Sequence, residues 1–191
     1  MTALQDDSRE LREAVIATAR AMNERGINVN KSGNVSVRCA RGARAGFLLT
    51  PTGVPYDRLE ADDIAFVADD GCATGRCEPS SEWRFHAAIY AARLELHAIV
   101  HTHSVHATAL ACQGLGIPAF HYMVAVAGGD DIRCSDYATF GTQALADNAL
   151  AALRDRKACL LAAGKIREYE SKAAAMCAGC SCGDSCPPRG E

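Results

Sequence analysis

Apolar positions along the first third of the chain change period twice. Between residues 9 and 25 they fall at Leu11, Ala14, Val15, Ala19 and Met22, with Thr18 on the same stripe. That is helical spacing, with Asp7 or Ser8 to cap the start and Gly26 after the last turn as a stop. The segment at Ser32 and Gly33 reads as a loop running into a short strand at 35–38. Residues 46–50 read as the next strand. The link at 40–45 holds a glycine between arginines, which predicts a hairpin. Pro51, Gly53 and Pro55 mark a turn cluster. Residues 64–67 form a further apolar run, ended by Asp69, Asp70 and Gly71.

Downstream, the two periods interleave. Ser80, Ser81 and Glu82 open a helix running to about Leu94, with Trp83, Ala87, Ile89 and Tyr90 available for packing. Residues 98–103 read as a strand, 105–112 as a helix, 139–156 as a long amphipathic helix and 158–161 as a last strand. Interleaving predicts an α/β fold: a single domain over residues 1–163 with a mixed central β-sheet flanked by helices. There is no internal repeat. After Ala163 the character changes. Residues 164–191 are rich in Cys, Gly, Ser and Pro, have little to bury, and read as a divergent, poorly ordered tail.

Composition narrows the function class. The chain has 191 residues, 49% of them apolar and 23% charged, with a net charge of −3. Such a balance gives no basis for general nucleic-acid or membrane-surface binding. The N-terminus lacks a basic start followed by an apolar stretch, and no apolar run approaches the ~20 residues that span a bilayer. The expected location is the cytoplasm. Of the ten cysteines, six are scattered and read as small apolar residues or incidental thiols. The other four, Cys177, Cys180, Cys182 and Cys186, crowd the tail as C-x2-C-x-C-x3-C. Such thiols can bind zinc or copper(I), but the spacing lacks the paired C-x2-C arrangement of a zinc site. The tail reads better as out-of-frame translation of a GC-rich gene.

Three local signals carry chemistry. His101 and His103 stand at i and i+2, so on a strand they project the same way and two imidazoles can share one divalent metal. A lone pair of this kind is more often packed or surface histidine, but His106 follows one helical turn on. Glu82 heads a helix behind two serines. Beside a metal it can shuttle protons or act as a ligand; alone it is a first-turn glutamate favoured by the helix dipole. The small polar loops at Gly33 and Asn34, Thr52 and Gly53, and Ser80 and Ser81 are individually ordinary turns and caps. Together they offer backbone N–H groups and hydroxyls of the kind that bind phosphate.

Six motifs then occur in order: Gly33-Asn34-Val35-Ser36, Thr50-Pro51-Thr52-Gly53-Val54-Pro55-Tyr56, Ser80-Ser81-Glu82-Trp83-Arg84-Phe85-His86, Val100-His101-Thr102-His103, Ile117-Pro118-Ala119-Phe120-His121-Tyr122-Met123 and Tyr137-Ala138-Thr139-Phe140-Gly141-Thr142. The chain thereby resembles the class II aldolase/adducin family over residues 11–161, on its fuculose-phosphate aldolase side. The resemblance implies a zinc-dependent aldolase that cleaves L-fuculose 1-phosphate, or a related ketose 1-phosphate, to dihydroxyacetone phosphate and an aldehyde. It implies a phosphate cradle of Gly33, Asn34, Thr52, Gly53, Ser80 and Ser81. It makes Glu82 the acid/base at carbon and a possible metal ligand, and His101 and His103 two of three Zn2+ ligands. Tyr122 would act at the aldehyde oxygen across a subunit boundary, and Phe140 would line the aldehyde pocket. The assembly implied is a homotetramer. The sugar-phosphate 4-epimerase branch tends to carry Asp where Glu82 stands. One departure is plain: the family's remaining zinc histidine follows the strand matched by 158–161, where this chain reads Ala162-Ala163-Gly164-Lys165. A catalytically impaired or non-catalytic member, or an epimerase or dehydratase of the same superfamily, are the alternative expectations.

Overall fold

The computed structural model describes residues 4–163, so the Cys-rich tail expected at 164–191 lies outside the described residues. The first helix, α1 (Arg9–Glu24), starts where its cap dictates. Ser8 Oγ accepts from the Leu11 amide at 3.2 Å. Asp7 is used differently, bridging Arg12 at 2.6 Å and Arg41 at 2.7 Å. Gly26, at φ 67°, takes the left-handed position just beyond the helix.

The sheet has five strands: β1 (Asn34–Arg41), β2 (Arg44–Leu49), β3 (Ala65–Ala68), β4 (Ala73–Thr74), which was not expected, and β5 (Ala98–His101). The first two form the expected hairpin, closed by Arg41 opposite Arg44, with Gly42 at φ 60° in the turn. Sheet order is β4-β3-β2-β1-β5 and its four pairings are antiparallel. Parallel pairing occurs at isolated bridges, Asp6 with Ala40 and Cys134 with Leu160.

Alternation along these strands divides the core into two faces. Val35, Cys39, Leu48 and Phe66 pack with Val15, Ile16, Ala19 and Met22 of α1. Phe47, Leu49 and Val67 pack on the other face with Tyr90 of α2 (Trp83–Ala92). Beyond them, Phe85 and Ile89 of α2 meet Leu145 and Ala146 of α4 (Gln143–Ala152). A short helix, α3 (Val105–Ala111), follows β5. Cys39 is fully buried, which pushes its thiol up to about 12, whereas Cys72 and Cys112 are exposed.

Three expectations need adjustment. The helix read over 139–156 is shorter: Thr142 caps it, accepting from the Leu145 amide at 3.3 Å, and Asp155 at φ 56° turns the chain after it. The strand read over 158–161 is a single bridge at Leu160, because its backbone meets only the segment at Arg133–Ser135, and Leu161 packs against the α2–α4 cluster instead. The strand read to residue 103 ends at His101.

Candidate active site

The site is assembled where β1 begins, β5 ends and α2 starts. Antiparallel pairing sets Asn34 opposite His101. The loop before β1 comes so close that a Cβ on Gly33 would lie 2.3 Å from the His101 carbonyl oxygen and 2.8 Å from Asn28 Oδ1. Glycine is therefore required there by contact. Buried Asn28 accepts the His103 amide at 3.1 Å and so holds the residue after the strand in place.

Asn34 and Glu82, far apart in sequence, meet here: Asn34 Nδ2 donates to Glu82 Oε2 at 2.9 Å. Glu82 Oε2 also lies 3.4 Å from His101 Nε2, and the two side chains are only 14% and 16% exposed. Burial raises the Glu82 carboxyl above the usual carboxylate range, against the lowering effect of the Asn34 hydrogen bond. Burial and the nearby His103 hold His101 down to about 4, and burial lowers His103 as well. Both imidazoles are thus neutral at neutral pH, the form in which histidine binds metal.

His101 Nε2 and His103 Nε2 are 3.1 Å apart. A tetrahedral site with zinc–nitrogen bonds near 2.0–2.1 Å has an edge of roughly 3.3 Å, so this pair fits one divalent ion. Glu82 adds a carboxylate oxygen at a similar distance from His101. Among the described residues no group of three His, Cys, Asp or Glu side chains is placed to hold a metal ion. The donor set is a two-imidazole edge backed by one carboxylate. His106, in the first turn of α3, is exposed.

The candidate phosphate-binding residues gather beside it. Asn34 Nδ2 also donates to Ser80 Oγ at 3.2 Å. A bridge between Pro51 and Pro79 joins the Thr52–Gly53 turn to the Ser80–Ser81 segment, with the Thr52 amide on Glu78 O at 3.0 Å and the Ser80 amide on Thr50 O at 3.1 Å. Gly53 sits at φ 77°, where a side chain would be strained. Phe140 is 59% exposed and precedes Gly141, which packs on the Ser81 carbonyl and accepts from Arg84 at 2.9 Å. Tyr122 is not brought to this cluster. It lies on a 3-10 turn (Tyr122–Ala127), 79% exposed, in a cleft lined by Phe120, His121, Val124 and Asp130.

Sequence reasoning missed residues of two kinds. Lys31 places its ammonium 2.8 Å from the Gly53 carbonyl, a cation beside an otherwise uncharged cradle. Ser36, His86 and Tyr90 continue the polar contacts inward from Asn34. Their signal was available: Asn34, Ser36 and Arg38 alternate on β1, while Glu82, His86 and Tyr90 recur every four residues from the cap of α2 into the helix.

Comparison with known proteins agrees with this geometry. Residues 13–164 match the family described as the Class II Aldolase and Adducin N-terminal domain. The chain is 51% identical over 152 residues to a 5-methylthioribulose-1-phosphate/5-deoxyribulose-1-phosphate aldolase of Rhodospirillum rubrum, covering 80% of this chain and 67% of that protein. It is 45% identical over 152 residues to the L-fuculose phosphate aldolase of Escherichia coli K12, covering 80% of this chain and 69% of that one. A solved L-fuculose 1-phosphate aldolase superposes with a TM-score of 0.76 at 32% identity, covering 95% of this chain and 92% of that one.

Proposed function

The chain belongs to the class II aldolase and adducin family, and from that premise we propose that it is a zinc-dependent aldolase acting on a ketose 1-phosphate. L-fuculose 1-phosphate or a related 5-deoxyketose 1-phosphate is the substrate class, with dihydroxyacetone phosphate and an aldehyde as products. The observation that carries this reading is the placement of Glu82: a part-buried carboxylate with a raised pKa, bonded to Asn34 and 3.4 Å from an imidazole that is itself paired with His103.

His101 and His103 would hold the metal with Glu82 beside them, and the metal would supply Lewis acidity for the ketose carbonyl. In cleavage, the hydroxyl at the carbon that becomes the aldehyde gives up its proton to the group serving that oxygen, the carbon–carbon bond breaks, and its electrons pass into the enediolate of the dihydroxyacetone phosphate half. Glu82 then returns a proton to its carbon, and a carboxyl raised by burial is suited to carrying that proton. Asn34, Thr52, Gly53, Ser80 and Ser81 would bind the phosphate, with Lys31 supplying positive charge at its edge. Tyr122 would serve the aldehyde oxygen of a neighbouring subunit, since its own site lies elsewhere and its surroundings are exposed and apolar. A homotetramer follows as the proposed assembly. Among the described residues no helix is long and apolar enough to cross a membrane. Cytoplasmic placement is part of the proposal.

A second reading, a non-catalytic or impaired member, draws on the absence, among the described residues, of a group of three His, Cys, Asp or Glu side chains placed to hold a metal ion. An assay separates the two. L-fuculose 1-phosphate and 5-methylthioribulose 1-phosphate are incubated with protein and added Zn2+, and dihydroxyacetone phosphate is measured. Product that disappears with chelator, and falls by about 10²–10⁴-fold in Glu82→Gln, is expected. No product above the chelated control would favour the second reading; an epimerised or dehydrated product would move the chain to another branch of the superfamily.

A further inference from the structure

Glu82 is oriented by a chain of hydrogen bonds whose direction can be worked out from its Asn34 end. Asn34 is 1% exposed, and Ser36 and His86 are fully buried. Asn34 Oδ1 lies 2.5 Å from His86 Nε2, His86 Nδ1 lies 2.7 Å from Ser36 Oγ, and Ser36 Oγ lies 2.8 Å from the Tyr90 hydroxyl.

Asn34 turns its Nδ2 edge to Glu82 Oε2 and to Ser80 Oγ, so its NH2 group donates to both oxygens. Its Oδ1 then faces His86, which must be protonated on Nε2. His86 Nδ1 is left as an acceptor for the Ser36 hydroxyl, and Ser36 Oγ as an acceptor for Tyr90. Complete burial keeps the His86 imidazole neutral, as this arrangement requires. Among the described residues no buried side-chain nitrogen or oxygen is left without a partner.

We propose that His86 is a positioning residue: held by Ser36 and Tyr90, it locks the Asn34 amide so that one NH2 group serves Glu82 and Ser80 together. The phosphate cradle and the acid/base carboxylate are thereby set by a single rotamer. An amide does not readily pass a proton along, so the chain orients Glu82 and is not a wire to it. An exchanged Asn34 would set its carbonyl oxygen against the carboxylate and two N–H donors against a donor nitrogen, leaving buried groups unpaired.

The catalytic consequence rests on the aldolase reading; the tautomer does not. Metal-free protein labelled with 15N-histidine should show His86 protonated on Nε2 and bare on Nδ1 at neutral pH. His86→Phe should displace the Asn34 side-chain amide resonances and lower kcat about 10–100-fold, the range typical of lost outer-shell partners, with KM changed by less than about threefold. His86→Gln, which can offer its own N–H to Asn34, should restore both the resonances and most of kcat. If His86→Phe does not fold, Tyr90→Phe takes its place, with a several-fold loss of kcat expected. A His86 ring protonated on Nδ1, unmoved Asn34 resonances, or equal losses in the Phe and Gln variants would overturn the proposal. Wild-type protein without aldolase activity but with the expected tautomer and Asn34 shift would overturn the aldolase reading while leaving the positioning intact.

Discussion

Between β1 and α2 the polar side chains are buried and partnered, whereas from Phe120 to Val126 large apolar side chains stand in the open. Asn34, Ser36 and His86 are at most 1% exposed, while Phe120, Tyr122 and Val126 are 74%, 79% and 63% exposed. The first region is complete within one chain: its hydrogen bonds close on themselves and set the Glu82 carboxylate. The second presents apolar surface that no other described residue covers. The contrast teaches that the acid/base and phosphate side of the proposed site is built intramolecularly, while the Tyr122 side is an exposed apolar patch, the kind of surface that the proposed subunit contact would cover.

The comparison can be broken at three places, in descending order of expected effect. His103→Ala removes half of the imidazole edge and should weaken zinc binding by more than the roughly 10–100-fold typical of lost outer-shell partners. Elemental analysis and chelator competition measure it, and Glu82→Gln, which removes only the backing carboxylate, should lose less metal than His103→Ala. Zinc kept undiminished by the His103 variant would place the metal elsewhere. Next, Val126→Asp sets a charge into the exposed apolar segment. Sedimentation should show dissociation of the assembly, with activity lost while the Asn34 and His86 resonances stay put. An unchanged sedimentation coefficient would remove this segment from the interface. The smallest effect is expected at Lys31→Ala: KM for the phosphorylated ketose should rise about 3–10-fold with kcat steady, as for an exposed charge that assists phosphate binding equally in ground and transition states. A fall in kcat at constant KM would place Lys31 in the chemistry instead.

Much of the candidate site was legible in the residues. The His101 and His103 pair was expected from strand alternation, yet the strand stops at His101 and it is Asn28, holding the His103 amide, that keeps the second imidazole in reach. Glu82 was expected at a helix start, and it stands immediately before α2. The segment at 158–161 was misread as a strand because its apolar run is equally suited to packing against α2 and α4, as Leu161 does. A short apolar run does not by itself distinguish the two uses. His86 went unremarked because a histidine among apolar helix positions is ambiguous until its neighbours are known.

The sequence by itself determined the period of each segment, the caps and glycine turns, the paired histidines and the ordered motifs of the family, all of which depend on residues a few positions apart. Only the tertiary structure decided that Asn34 meets Glu82 across 48 positions and His86 across 52, and that Tyr122 is left in the open. The physical reason is that those encounters follow from strand register and from the seating of α2 on the sheet. Both are settled by burying the apolar faces of the whole domain at once, which no local pattern specifies.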